Sequence, residues 1–366
     1  MNSTVNNLIA FLRRIKNILL FFYFLGVLFS ILANFVSPMT SVVIASFGLL
    51  FIPLFFGNLI ILILYIKRDK TTALVSFLLL IISLKYAPRT MTYHSSQEKK
   101  GLKVMTWNVK NFDLYNWSKN AETRQNMANL IDTISPDVLC MQEFFTNNSE
   151  LNNIELLKSK GLKYYSFYPS YSQKNKGNKW GLAIFSKYPM KNAKLIDINP
   201  QNSAMNQCMS AEIQFKDKNY KIYNAHFQSI HLDYDDYGYL ENVKKKWNML
   251  NYLNTWQIVY KITKAFKNRT NQVEAFLDKY NQTDNMSSIL CCDMNDVPNS
   301  YSYCRISSVL TDAFTQKGKF LSNTISIFFP LYRIDYVFCS KDIKVNSYKR
   351  IETNLSDHHI VTAYLD

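Results

Sequence analysis

Long apolar stretches without polar interruptions dominate the first 86 residues of the chain. Two of them, Ile18 to Val36 and Val42 to Ile66, contain no charged residue and reach the roughly 20 residues that a membrane-spanning helix requires. The third, Thr71 to Tyr86, is shorter, so it either spans a locally thinner bilayer or lies at the interface. A secretory signal peptide is the alternative for the first stretch, but a second long stretch follows it at once. We therefore predict a membrane region at residues 1–86 with two or three transmembrane helices.

The pattern changes after this region. Residues 87–101 are mostly polar and predict a linker. From residue 102 to residue 366, short apolar runs alternate with turn-rich segments, which is typical of strands. Segments 122–135 and about 241–279 instead carry apolar residues at helical spacing. Since strands and helices both recur, we predict a second domain of the α/β or α+β class at residues 102–366. The runs predicted as strands are KVMTWNV, PDVLCMQEF, WGLAIFSK, YKIYNAHF, SSILCCDMND, RIDYVFC and HIVTAYL.

Lys and Arg residues flank the apolar stretches unevenly, and this predicts their orientation. The link between the first and second stretches carries no charge. Basic clusters instead lie before the first stretch and between the second and third, which places both of these segments in the cytoplasm. Three spans would put the second domain on the non-cytoplasmic side, our preferred topology for a multi-pass membrane protein, whereas two spans would leave it in the cytoplasm. The clustered residues are Arg13, Arg14, Lys16, Lys67, Arg68 and Lys70.

The formal net charge is +15, and residues 1–100 account for 8 of it, with ten Lys or Arg against two Asp or Glu. The second domain is therefore only mildly basic, which suits an anionic substrate or surface but does not by itself indicate nucleic acid. All six Cys residues lie after residue 139, and none has the C-x-x-C spacing of a zinc or redox site. We interpret Cys140, Cys291 and Cys292 as small buried apolar residues.

Polar residues at the edges of the predicted strands supply the candidate chemistry. One such residue is ordinary, but several Asn, Asp, Glu and His residues in one domain predict a single pocket. Carboxylates with an amide suit a hard divalent cation such as Mg²⁺, which neutralises a phosphate oxygen, and histidines position or protonate phosphoryl oxygens. No P-loop motif is present, so P-loop nucleotide binding is not supported. The residues are Asn108, Glu143, His226, Asp293, Asn295, Asp335, Asp357 and His358.

Seven segments resemble, in order, the sequence blocks of the endonuclease/exonuclease/phosphatase superfamily. This superfamily includes exonuclease III-like nucleases, DNase I, inositol polyphosphate 5-phosphatases and neutral sphingomyelinases. The resemblance covers about residues 103–366, and it implies a four-layer sandwich of two packed mixed β-sheets flanked by helices. The segments are TWNVKNF, DVLCMQE, WGLAIFSKYP, NAHFQS, CDMNDVPNSYSY, RIDYVF and SDHHIV.

The resemblance also implies a role for each polar residue. Asn108, Glu143 and Asp357 would lie at the metal, Mg²⁺ or alternatively Mn²⁺, with Glu143 its main ligand. The general base stays open between Asp293 and His358. His359 is expected to face away from the pocket, because adjacent strand residues point to opposite faces. The catalytic roles are His358 at the scissile phosphate, Asp335 orienting it, His226 on a phosphate oxygen, Asp293 aligning or deprotonating water, and Asn295 stabilising the transition state.

Three departures from the family pattern narrow the interpretation. Cys292 stands where the family usually has glycine, which removes backbone freedom. Lys110 stands where abasic-site nucleases carry an acidic residue, which weakens a DNA-repair function. The segment SNTISIFFPLY, before RIDYVF, lacks the glycines expected in close relatives.

We therefore predict a membrane-anchored, metal-dependent phosphoesterase that hydrolyses a phosphate ester of nucleic acid, nucleotide or lipid headgroup. The bilayer is a predicted partner, and nothing indicates an obligate protein partner. The stretch 239–256 is rich in Trp, Tyr and Lys, so it either lies at the lipid surface or forms an ordinary amphipathic helix. Two alternatives remain: a repair nuclease facing the cytoplasm, and a non-catalytic membrane-tethered binding or scaffold protein with a relic pocket. The intact polar set argues against the second alternative.

Overall fold

The computed structural model describes residues 3–173, 175, 177–199, 207–230, 252–282, 286–326 and 332–366. The chain forms two compact units. The first consists of Met1–Thr90 with Pro298–Cys304, and the second of Met91–Val297 with Arg305–Asp366.

The first unit is helical. Its helices are α1 (Ser3–Leu32), α2 (Val42–Ser46), α3 (Phe51–Tyr65) and α4 (Lys70–Leu84), with one 3₁₀ turn between α2 and α3. Two segments, Val5–Leu32 and Val42–Tyr65, are long and apolar enough to cross a membrane, whereas Lys70–Leu84 is a shorter apolar helix. Ser41 and Asp69 cap α2 and α4, because their side chains accept hydrogen bonds from the first backbone N–H groups of each helix. The apolar stretches thus form helices, as predicted.

The second unit contains two six-stranded mixed sheets and a short ribbon. The first sheet has the order β13-β14-β2-β3-β5-β4, in which only β2 and β3 are parallel. Its strands are β2 (Leu102–Asn108), β3 (Val138–Thr146), β4 (Tyr164–Gln173), β5 (Asn178–Ser186), β13 (Val345–Ile351) and β14 (Ile360–Leu365).

The second sheet has the order β10-β12-β9-β8-β7-β6, in which only β8 and β9 are parallel. Antiparallel β1 (Met91–Tyr93) and β11 (Lys319–Leu321) form the ribbon. The strands of the second sheet are β6 (Met190–Ile196), β7 (Cys208–Phe215), β8 (Lys218–His226), β9 (Ser288–Asp293), β10 (Thr311–Asp312) and β12 (Asp335–Cys339).

The two sheets pack face to face, and helices cover their outer faces. Buried Val104 and Val138 of the first sheet share one core cluster with Ile222 and Ile289 of the second. On the outer side of the first sheet, α5 (Thr123–Ile134) contributes buried Met127. The helices that follow α5 in the chain are α6 (Asn153–Ser159), α7 (Tyr252–Asn281), α8 (Tyr301–Val309) and α9 (Ala313–Lys317). The predicted sandwich of two mixed sheets flanked by helices is confirmed.

Strand direction explains why one edge collects the polar residues. In each sheet the parallel pair ends at the same edge, so Asn108 lies opposite Gln142 and His226 lies opposite Asp293. The antiparallel neighbours β12 and β14 begin at that edge, which brings Asp335 opposite Asp293 and places His358 just before β14.

Some predictions need correction or fall outside the described residues. The segment predicted as a linker, 87–101, contains a 3₁₀ turn and strand β1, because Met91, Thr92 and Tyr93 pair with β11. The long helix predicted from about 241 begins at Tyr252 within the described residues, and residues 231–251 lie outside them. Most of the stretch 239–256, for which a position at the lipid surface and an ordinary amphipathic helix were both open, is therefore not described. Cys140, Cys291 and Cys292 are buried free thiols, as predicted.

Candidate active site

The end of β2 brings Asn108 against carboxylates from two other strands. Its Nδ2 donates to Glu143 Oε1 at 3.1 Å and to Asp293 Oδ2 at 3.0 Å. Its Oδ1 accepts from the backbone N–H of Lys110 at 3.0 Å. Because Glu143 belongs to the first sheet and Asp293 to the second, this buried amide joins the two sheets at the candidate site.

His358 and Asp335 form a buried pair beside Asp293. The imidazole Nδ1 lies 3.1 and 3.0 Å from the two carboxylate oxygens of Asp335, and Nε2 lies 3.8 Å from Asp293 Oδ2. Burial lowers the pKa of His358, but the carboxylates of Asp335 and Asp293 outweigh it and hold this pKa well above its ordinary value. Burial raises the pKa of Asp335 to about 6 against the opposing effect of the imidazole. The pair therefore retains a proton near neutral pH.

Buried neighbours fix the backbone around this pair. Trp107 Nε1 donates to the carbonyl oxygen of His358 at 3.0 Å. Thr324 Oγ1 accepts from the backbone N–H groups of Ile334 and Asp335 at 2.9 and 3.0 Å, and the Thr324 carbonyl accepts from His359 N–H at 2.7 Å. Thr324 thus connects the start of β12 with the start of β14, which sets the spacing of the two catalytic candidates.

His359 is directed elsewhere. Its Nδ1 lies 3.1 Å from the carbonyl oxygen of Thr353, which precedes the strand. Burial lowers the pKa of His359, in contrast to that of His358. The two adjacent histidines therefore have different partners and opposite electrostatic environments.

His226 completes the edge from the second sheet. Its Nε2 lies 3.6 Å from Asp293 Oδ2 and 3.9 Å from Glu143 Oε1. The residue is 7% exposed, and Nε2 is buried without a hydrogen-bond partner among the described residues. A buried imidazole nitrogen that faces two carboxylates and lacks a partner is expected to receive one from a ligand.

Asp357 is engaged by a lysine. Its Oδ2 lies 2.8 Å from Lys110 Nζ, which also lies 4.9 Å from the centroid of the Trp117 ring. Burial raises the pKa of Asp357, but His358 and Lys110 lower it below its ordinary value. Lys110 begins a run of four residues, 110–113, with positive φ, so the chain bends sharply after β2 and returns the ammonium group to the site.

Two site residues adopt left-handed backbone conformations that non-glycine residues rarely take. Glu143 has φ 49° at the irregularity between Met141 and Phe144 of β3, and Asn295 has φ 54°. Asn295 donates its backbone N–H to Asp293 Oδ1 at 2.9 Å and its Nδ2 to the carbonyl oxygen of Phe227 at 3.1 Å. Backbone strain of this kind persists where the surroundings hold it, and it concentrates at functional sites.

The donor set fits a hard divalent cation. Glu143 offers a carboxylate whose side chain is 36% exposed, beside the unpartnered nitrogen of His226. Asp293, Asp335 and His358 also place ligand atoms within 4.8 Å of one another. In that trio, however, Nδ1 of His358 already binds Asp335, which better suits a network that shares protons. Glu143 is therefore the carboxylate best placed to accept a metal.

A cleft of about 350 Å³ opens beside these residues. Glu143 and His226 line it together with Tyr115, Tyr171 and Trp180. Tyr171 and Trp180 lie 5.4 Å apart between ring centroids, with their planes tilted by 37°. The cleft offers aromatic faces next to the candidate site residues, and its lining residues within the described part of the chain include no Lys or Arg.

All eight residues singled out from the sequence thus lie in one connected network at one edge of the sandwich. Two further members were missed. Lys110 was noticed only as a departure from the family pattern, although a charged residue directly after a buried strand was a usable signal. Thr324 lies in the segment before RIDYVF, whose loop shape no motif indicates.

Comparison with known proteins identifies the family to which the chain belongs. The model of the endonuclease/exonuclease/phosphatase family matches residues 105–358. No curated protein matches by sequence. Solved structures share the fold at low identity. The human Nocturnin catalytic domain with bound sulfate anion has 17% identity and a TM-score of 0.54, with 74% of this chain and 95% of that chain covered.

A family protein from Leptotrichia buccalis has 18% identity and a TM-score of 0.53, with 73% of this chain and 100% of that chain covered. The mannosyl-6-phosphatase Bt3783 of Bacteroides thetaiotaomicron has 17% identity and a TM-score of 0.50, with the same shares covered. The family model matches residues 105–358, which is more than half of the chain and includes the candidate site residues from Asn108 to His358. The chain therefore belongs to the endonuclease/exonuclease/phosphatase family.

Proposed function

We propose that the chain is a membrane-anchored, metal-dependent phosphoesterase whose active site is the polar edge of the sandwich. The observation that carries the proposal is the network centred on Asp293, which lies within 4 Å of Asn108, His226 and His358. A buried carboxylate between two imidazoles and an amide is costly to maintain without a function. A non-catalytic relic would be expected to lose such groups.

The positions of these residues suggest a separate catalytic role for each of them. A divalent cation held by Glu143, with Asn108 and Asp357 beside it, would neutralise a phosphate oxygen and the developing charge of the leaving group. Positively charged His358, oriented by Asp335, would donate a hydrogen bond to a second phosphate oxygen. Asp293 lies between the two imidazoles and would accept a proton from the attacking water. Nε2 of His226, which has no hydrogen-bond partner among the described residues, would form a hydrogen bond with a phosphate oxygen.

The adjoining aromatic cleft supports a planar or cyclic group next to the scissile phosphate. Tyr115, Tyr171 and Trp180 offer ring faces against which such a group would pack. The ester class remains nucleic acid, nucleotide or lipid headgroup. A sugar phosphate joins that list because the Bt3783 protein is a mannosyl-6-phosphatase of the same fold.

Membrane anchoring rests on the apolar helices of the first unit. Two of them are long enough to span, and the Lys and Arg residues around them favour three crossings. In that topology the catalytic domain acts outside the cytoplasm.

Hydrolysis assays on the full chain in detergent test the proposal. We expect turnover of p-nitrophenyl phosphate or bis-p-nitrophenyl phosphate with Mg²⁺ or Mn²⁺, followed by selection among DNA, RNA, nucleotides, sphingomyelin and sugar phosphates. Excess chelator should abolish turnover, because Glu143 then has no cation to hold. Full turnover in chelator would contradict the metal dependence.

The Asp293→Asn variant controls for contaminating hydrolases. It preserves side-chain volume but removes the proton acceptor, so turnover should fall by about two orders of magnitude or more. If a well-folded preparation hydrolysed none of these esters with either metal, the non-catalytic alternative would replace the proposal.

A further inference from the structure

A second cleft lies away from the candidate active site, in the same unit. Its volume is about 790 Å³, and residues of β2, β11, β13, β14 and α5 line it. None of the eight candidate site residues contributes to it. Apolar Leu130, Ile134 and Ile351 are among its lining residues.

The charged residues that line this cleft all carry the same sign. It contains Lys and Arg side chains but no Asp or Glu. Arg350 pairs with exposed Glu352, and Lys103 lies near Asp137. The remaining lysines form no ion pair with any described residue, and they are exposed. The five cationic residues are Lys99, Lys103, Lys319, Lys349 and Arg350.

These cations repel one another. Burial lowers the pKa of Lys103, and the neighbouring charges of Lys187, Lys99 and Lys349 lower it further, against the opposing effect of Asp137. The ammonium group of Lys103 nevertheless stays in place, because it donates to the carbonyl oxygen of Ile134 and lies 5.6 Å from the centroid of the Tyr364 ring. An anion in the cleft would relieve this repulsion.

The ribbon at the rim of the cleft exposes apolar side chains. Phe320 is 67% exposed, Tyr93 is 63% exposed, and their ring centroids lie 5.4 Å apart. Phe320 also has φ 54°, a conformation that is unfavourable for a bulky residue. An exposed aromatic pair on a strained backbone gains little from packing within this chain, so it is available to an external apolar phase.

Chain connectivity favours a lipid as that phase. Only six residues lie between the end of α4 at Leu84 and the start of strand β1 at Met91. Whatever the arrangement of the two units, a link of this length spans at most about 25 Å. Aromatic residues beside Lys and Arg are typical of proteins at the surface of anionic membranes.

We propose that this cleft binds the phosphate headgroup of an anionic lipid, with Phe320 and Tyr93 in the membrane interface. This lipid site is separate from the proposed hydrolytic activity. It rests on the proposed function only in requiring that the chain is anchored in a membrane. Lys319 and Lys349 are the side chains we expect to contact the headgroup. Lys103 supplies a further positive charge in the cleft.

Thermal melting of the full chain in a neutral detergent tests the proposal. The added ligands are dihexanoyl phosphatidylglycerol, dihexanoyl phosphatidylcholine, glycerol 3-phosphate and a dT12 oligonucleotide. We expect phosphatidylglycerol to raise Tm by about 2–5 °C and phosphatidylcholine to leave it unchanged. The Lys319→Gln/Lys349→Gln variant should lose most of that rise. The Lys191→Gln/Lys194→Gln variant, with two exposed lysines of β6 changed, should keep it.

A Phe320→Ala variant separates charge from the apolar contact and guards against a misfolded double variant. It should weaken the response to phosphatidylglycerol while the cationic cleft stays intact. An equal rise in all variants would show that anionic lipid binds elsewhere, and it would overturn the proposal. A lysine-dependent response to dT12 alone, or an equal response to glycerol 3-phosphate, would replace the lipid with nucleic acid or a free phosphate ester. Turnover measured on the same preparations tests the hydrolytic function separately.

Discussion

At the scale of single residues, the site depends on where two adjacent histidines point. His358 faces Asp335 and Asp293, whereas His359 faces the carbonyl oxygen of Thr353. Both are buried, so exposure does not distinguish them. Their different partners follow from strand geometry, in which neighbouring side chains point to opposite faces.

Replacing each histidine in turn tests this assignment. His358→Ala should lower turnover by about 100- to 1000-fold, because it removes a donor to the phosphate at the site. His359→Ala should lower turnover much less, since it breaks only a local contact. Turnover of both variants on one substrate is the measurement, with thermal melting alongside. Equal losses of turnover at matched stability would mean that the pocket has been assigned to the wrong face of the last strand.

Lys110 is the residue whose position changes the electrostatics of the predicted metal site. Its ammonium group neutralises Asp357, so this carboxylate has less charge to offer a cation. Glu143 has no such ion pair with a described lysine or arginine. We therefore expect a cation to bind on the Glu143 side.

A Lys110→Gln substitution tests this asymmetry. Removing the ammonium frees Asp357, so Mn²⁺ should bind about three- to tenfold more tightly or in a second equivalent. Titration of the full chain followed by electron paramagnetic resonance of free Mn²⁺ measures this without relying on turnover. Lys119→Gln, an exposed lysine in the same loop, is the control and should bind as wild type does. Unchanged Mn²⁺ binding in both variants would mean that Lys110 does not restrict the metal.

At the scale of secondary-structure elements, a buried amide network ties the two sheets together behind the site. Asn224 of β8 donates to the carbonyl oxygens of Met141 and Ala183, both at 2.9 Å. Its Oδ1 accepts from Gln142 Nε2 at 2.7 Å. Asn224 and Gln142 are fully buried, and Gln142 directly precedes Glu143. The network therefore fixes β3 where its backbone becomes irregular.

Asn224→Ala should destabilise the second unit. The change removes three buried hydrogen bonds, to the carbonyl oxygens of Met141 and Ala183 and from Gln142 Nε2, at a cost of about 2–3 kcal/mol. Tm should fall by several degrees. Asn219→Ala, an exposed position on the same strand, should leave Tm almost unchanged. Similar melting of the two variants would show that the sheets do not depend on this network.

The sequence predicted most buried strands well and the edge strands poorly, although it missed β7, which is largely buried and lies inside the second sheet. The seven predicted runs correspond to β2, β3, β5, β8, β9, β12 and β14, because their apolar residues are continuous and buried. Edge strands β4 and β6 are largely exposed, and β4 contains Pro169, so neither shows a clear apolar period. The polar residues of the site were predictable because each follows or precedes a buried run. Lys110 and Thr324 reach the site through loop conformations that no apolar pattern encodes.

At the scale of the whole molecule, α4 determines on which side of a membrane the second unit would lie. It has 15 residues and an estimated length of about 22 Å, shorter than the roughly 30 Å hydrocarbon core. The basic clusters before the first apolar stretch and between α3 and α4 still favour three crossings. The side chain of Lys85 at the end of α4 can extend to the headgroup region, which reduces the mismatch between the length of α4 and the thickness of the hydrocarbon core.

A reporter fused after Asp366 tests this topology. Alkaline phosphatase, which is active only outside the cytoplasm, should be active there. A fusion after Asp69, between α3 and α4, should be inactive and serves as the matched control. An inactive fusion at Asp366 with an active fluorescent protein at the same position would mean that α4 does not cross.

The pairing of β14 with β2 has a consequence for the timing of biosynthesis. Thr106 lies opposite Val361, so about 250 further residues must leave the ribosome before β2 gains this neighbour. His358, which precedes β14, reaches Asp335 only then. A partially translated chain therefore lacks the assembled candidate site. Only a chain synthesised almost to its last residue can bring His358 and Asp335 together.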